Sequence, residues 1–188
     1  MTRSRQTADW GSRAGLAKIV PSSVAVGSGT GSADALGTVT FSGASSVSLN
    51  NVFSATYRNY KIVLNATASA TPTINIRFRV NGTDNSTASS YVVTYLYGQG
   101  TSATSATETG AQGIIGSSAS TTVSGNANID VFAPFLTVNT LFHSLNADSG
   151  NSVVVRMGLH NQSTSYDGFT FTASTGTISG TITVLGYN

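Results

Sequence analysis

Eight consecutive residues near the middle of the chain constrain its fold most. From Thr73 to Val80, Ile74, Ile76, Phe78 and Val80 alternate with Thr73, Asn75, Arg77 and Arg79. That period of two belongs to a β-strand with one face in a core and the other in solvent. A slip of one residue would bury both guanidiniums without partners, so register and face are specified together. Asn81-Gly82 follows as a turn. Strand patterns recur at 38–42, 45–49, 60–67, 91–97, 128–133, 141–145, 153–160, 169–172 and 177–185, punctuated by Gly, Asn and Ser, with no convincing helix between them. Short strands at this spacing predict an all-β chain, an antiparallel β-sandwich or barrel. The absence of crossover helices argues against a parallel α/β sheet.

The first fifth of the chain breaks into pieces of different composition. Residues 1–18 hold Arg3, Arg5, Arg13 and Lys18 against Asp9, a charge of +3, while the rest has five bases and six acids, −1. The segment 1–21 reads as an anchor peptide, with Ser4 or Thr7 capping a short helix that runs to about Lys18. Trp10, the only Trp, sits among its bases. That is the composition of a peptide that docks on a partner, with Arg3, Arg5, Trp10 and Arg13 as contacts. Residues 22–36, rich in Gly and Ser, read as a flexible linker, and 37–188 as the displayed domain. Gly27-Ser28-Gly29-Thr30-Gly31-Ser32 superficially resembles a phosphate loop, but no Lys follows and no helix opens after it.

Charged residues make up only 9% of the chain, against about 25% in ordinary globular proteins. Solubility must come from hydroxyls and amides, which suit strands and surfaces that subunits bury against each other. Without Cys the chain has neither disulfides nor thiolate metal sites. No apolar run approaches the ~20 residues that span a bilayer, and the N-terminus lacks a secretory apolar region, so membrane insertion is not expected.

Catalytic constellations are not legible. His143 and His160 lie on separate predicted strands with no acid or His partner at metal-ligand spacing, and no Gly-x-Ser-x-Gly elbow occurs. Asp148-Ser149-Gly150 and Asp167-Gly168 read as turns, and His160 with Arg156 as the solvated face of its strand. No enzyme, cofactor or metal site is predicted. Arg77 and Arg79 form too small a basic stripe for nucleic acid, and the body has no steering charge. Tyr91, Tyr95 and Tyr97 share one strand face, either packed on a second sheet or offering a contact surface. The stretch 98–125 is nearly all Gly, Ser, Thr and Ala and reads as a long loop, with Ile114-Ile115 able to pin its middle as an edge strand. Its Gln99, Thr101, Thr104, Glu108 and Gln112 are the candidate receptor contacts.

Three segments carry a family likeness: Tyr57-Arg58-Asn59-Tyr60-Lys61-Ile62-Val63-Leu64-Asn65; Ile76-Arg77-Phe78-Arg79-Val80-Asn81-Gly82 with Ser89-Ser90-Tyr91; and the closing Ile178-Ser179-Gly180-Thr181-Ile182-Thr183-Val184-Leu185-Gly186-Tyr187. Over about 38–188 the chain resembles small bacteriophage virion proteins, the tail-fibre and head-fibre proteins. The resemblance implies a jelly-roll-like sandwich, commonly trimeric, held on the virion by its N-terminus. It implies a non-enzymatic structural protein, assembled in the host cytoplasm, with other virion proteins and a host cell-surface glycan as partners. A short tail fibre for host recognition is the leading reading and a capsid decoration or head-fibre protein the alternative. A carbohydrate-binding or carbohydrate-active module is the rival from another class.

Overall fold

The structure, a computed structural model, describes residues 15–117, 125–147 and 152–188. Its strands are β1 (Ala17–Ile19), β2 (Ser23–Val26), β3 (Thr30–Ala33), β4 (Thr38–Ala44), β5 (Ser46–Asn50), β6 (Asn59–Ala68), β7 (Thr73–Val80) and β8 (Thr83–Asp84). They continue with β9 (Tyr91–Gln99), β10 (Ser102–Gly110), β11 (Gly113–Ser117), β12 (Gly125–Phe132), β13 (Thr140–Ala147), β14 (Ser152–His160), β15 (Gly168–Ala173) and β16 (Ile178–Tyr187). All pairings are antiparallel, and no helix occurs among the described residues. The large sheet has the order β10-β9-β14-β13-β12-β6-β16-β4-β3, with β1 also on β16; the small one has β11-β7-β15-β5-β2, with β8 on β7. The two pack face to face as the predicted sandwich.

Strand β7 spans the predicted residues, and Ile74, Ile76 and Phe78 are buried. The Phe78 ring lies within 6.5 Å of the rings of Phe53, Tyr91, Phe142, His160 and Tyr166, so it joins both sheets at the core centre. Asn81 and Gly82 both have positive φ, 51° and 77°, the two-residue hairpin turn that Asn-Gly favours. The other face of β7 is less solvated than its alternation suggests. Asn75 is buried, and Arg79 is held by Asp84 at 2.7 Å, Ser48 at 2.7 Å and Asn50 at 3.1 Å.

Two N-terminal expectations are corrected. Residues 17–19 are strand, not the end of a helix: β4 pairs β16 over 178–183, and β1 takes up the vacated edge at 184–186. What precedes Gly15, including the Trp10 region, lies outside the described residues. The Gly/Ser segment 22–36 is not a flexible linker. β2 pairs with β5 and β3 with β4, one in each sheet. Ser28 Oγ donates to the Gly43 carbonyl at 2.8 Å and accepts from the Ser45 N–H at 2.9 Å. Gly29, at φ 70°, lies so near the Ser42 carbonyl that a Cβ would come within 2.0 Å of it. Glycine here permits close approach of backbones, not mobility.

Candidate functional site

The stretch 98–125, predicted as a loop, is mostly sheet. β10 folds back on β9 through Gly100, at φ 58°, with Ser102 opposite Gln99 and Gly110 opposite Tyr91. β11 then crosses to the small sheet and pairs with β7, the edge strand expected around Ile114-Ile115. β10 is exposed along nearly all its length and forms one edge of the large sheet. Its hydrogen bonds to β9 hold it extended; burial does not.

This geometry divides the predicted receptor contacts into two groups. Gln99 and Thr101 stand at the hairpin tip, and Thr104 lies opposite Tyr97 on the same face, with Tyr95 two residues on. Glu108 and Gln112 instead line a cleft of about 380 Å³ where β10 and the 110–112 link pass over β7. Thr73, Asn75, Arg77, Thr109 and Ser174 complete its polar lining. Of the tyrosines, Tyr91 is wholly buried and stacks on His160 with centroids 4.0 Å apart, while Tyr95 and Tyr97 are half-buried.

β14 inverts the orientation its sequence suggests. Ser152, Val154, Arg156 and His160 point inward and are buried, while Val153, Val155 and Met157 point outward. Arg156, predicted to be solvated, bonds to Asn146 Oδ1 and lies 5.9 Å from the Tyr95 ring. His160 is fully buried: Nδ1 is 3.2 Å from the Ser90 carbonyl and Nε2 is 2.5 Å from the Tyr166 hydroxyl. Burial pushes its imidazole down to about 4, against a smaller opposing effect of the Ser90 carbonyl. Space explains the inversion as well as bonding. Gly158 faces inward beneath Phe142, and a Cβ there would lie 2.1 Å from the Phe142 ring.

The outward side of β9, β14 and β13 is therefore an apolar face. Leu96, Leu141, Leu145, Val153 and Met157 are 50–57% exposed and Val155 39%. Leu96, Val155 and Leu145 lie in one cross-strand row, and Met157 pairs with His143 in the next. That second row runs on into a polar node. Asp130, little exposed, receives Lys61 Nζ at 2.9 Å and the Tyr187 hydroxyl at 3.1 Å, and His143 Nε2 lies 3.2 Å away. Burial, with the Asp130 carboxylate beside it, pushes the Tyr187 phenol up to about 12. His143 thus faces the outer surface with an acid beside it, a pairing created by register since the two residues are opposite partners on β12 and β13. Sequence reasoning missed this face because the run Val153-Val154-Val155 supports either orientation of β14.

Among the described residues no group of three or more His, Asp or Glu is placed to hold a metal ion. The predicted anchor residues Arg3, Arg5, Trp10 and Arg13 lie outside the described residues. The fold and surface define an all-β sandwich with an exposed apolar sheet face and an open edge. No protein family, curated protein or solved structure matches the chain.

Proposed function

We propose that the protein is a bacteriophage virion structural protein, a short tail fibre whose sandwich is displayed as a closed homotrimer and meets a host-surface glycan through the β9–β10 hairpin. The outer face of β9, β14 and β13 carries this reading. Its six apolar side chains expose on the order of 500 Å², at the upper end of what a monomer leaves in water. With the surrounding hydroxyl-rich rim they approach the ~800 Å² that each partner contributes to a standard interface. At about 25 cal/mol per Å² that patch is worth roughly 12 kcal/mol gross, comparable to the cost of association. The Asp130, Lys61 and His143 cluster brings charges of both signs to its border, so like-charge repulsion does not oppose assembly. The three segments that resemble fibre proteins lie on β6, β7 with its Asn-Gly turn, the start of β9 and β16. The basic segment 1–14, with Trp10, is the part assigned to the particle.

Gold-conjugated antibody against the sandwich, applied to particles of the phage that encodes the chain, tests the reading. Label at the tail supports a fibre, and label over the capsid makes the protein a decoration. Unlabelled particles refute the virion assignment. A chain lacking residues 1–14 keeps β1 and should fold yet be missing from particles.

A further inference from the structure

Two arginines stand two residues apart on β7 and differ in how they are used. Arg79 is saturated by Asp84, Ser48, Thr170, Asn50 and the Gly82 carbonyl. Arg77 lines the cleft beside β10, and among the described residues its side chain has no hydrogen bond or ion pair; its Nε is buried without a partner. A buried donor left unmade costs about 1–3 kcal/mol; the two terminal amino groups, which no bond holds among the described residues, are the donors a ligand in the cleft would meet. The guanidinium fork matches a planar carboxylate with two parallel hydrogen bonds.

The rest of the cleft selects the body that carries that carboxylate. Asn75, Thr109, Gln112 and Ser174 supply amides and hydroxyls, and Glu108 accepts hydrogen bonds only. Such a lining fits a ligand bearing several hydroxyls. With one Arg and one Glu the cleft has no surplus positive charge, so a single carboxylate can be held only by pairing locally with Arg77, and a doubly charged phosphate, which Glu108 repels more strongly, is disfavoured. At about 380 Å³ it lies at the small end of ligand sites, the size for one or two sugar rings.

We propose that this cleft is a binding site for an acidic sugar, with Arg77 clamping the carboxylate and Glu108 and Gln112 reading ring hydroxyls. The inference deepens the recognition half of the proposed function and rests on that reading only for the source of the sugar.

The test is a nuclear magnetic resonance titration of the full chain with N-acetylneuraminate and with galacturonate, beside galactose and sodium acetate. The expected result is saturable shifts of Arg77, Glu108 and Gln112 with an acidic sugar at least ten-fold tighter than with galactose or acetate. Arg77→Gln should weaken binding ten-fold or more with a melting temperature no lower than before, because the side chain has no bond to lose and an unpaired buried donor is removed, and Arg77→Lys should restore only part. No shifts with either acidic sugar, equal shifts with acetate, or unchanged affinity in Arg77→Gln would overturn the site. The assay needs no particle: sugar binding together with unlabelled particles would remove the virion reading and keep the cleft.

Discussion

Acid should destabilise this protein through His160, and the size of the effect follows from its surroundings. Asn85 Nδ2 donates to the Tyr166 hydroxyl at 2.8 Å. Tyr166 donates to His160 Nε2, which leaves Nδ1–H to donate to the Ser90 carbonyl. This chain of bonds requires neutral imidazole, and protonating Nε2 removes the acceptor that Tyr166 uses. With the folded value near 4 and an unfolded value near 6.5, the unfolded chain binds the extra proton first as pH falls. Stability from this group is complete above about pH 6.5 and is lost progressively down to about pH 4, a total of roughly 3 kcal/mol at 1.36 kcal/mol per unit. That is a large part of the 5–15 kcal/mol that holds a typical domain. Urea unfolding followed by circular dichroism at pH 7, 6, 5 and 4 should show the fall, and His160→Asn, which cannot titrate, should be less stable at pH 7 but flatter by about that amount. The same pH slope in His160→Asn, or a His160 ring titrating near 6.5 in the folded protein, would refute the reasoning.

Other outcomes follow from packing and surface. Gly158→Ala pushes a methyl into the Phe142 ring and should cost about 1–3 kcal/mol or more in urea unfolding; adding Phe142→Leu should cost less than the two changes summed, and strict additivity would deny the contact. Light scattering of the full chain should give the mass of about three protomers, and Leu145→Glu with Met157→Glu should give a folded monomer. An unchanged mass in the double variant would place the interface elsewhere.

The strands with period-two alternation were legible in the sequence because one face of each meets a core. Thr73 to Val80 and the positions of β4, β6, β9, β13 and β15 follow from that, and the Asn81-Gly82 turn from the ease with which Asn and Gly take positive φ. The all-β class follows too, since hydrophobic groups at period two have no use on a helix. β2, β3 and β10 left no such signal. Their Ser, Thr, Gly and Ala carry little apolar contrast, and β10 buries almost nothing, so only the ladder to β9 makes it a strand. The candidate site was half legible. Glu108 and Gln112 could be picked out as unusual side chains in a bland stretch, but Arg77 joins them only because β11 pairs with β7 and so brings the end of β10 and the 110–112 link beside it. The apolar outer face was decided wholly by tertiary structure: Val-rich β14 could turn either way. Gly158 under Phe142, with inside partners for Arg156 and His160, turned Val153, Val155 and Met157 to the surface. Alternation tells which residues share a face; which face becomes interior depends on what the rest of the chain brings to it.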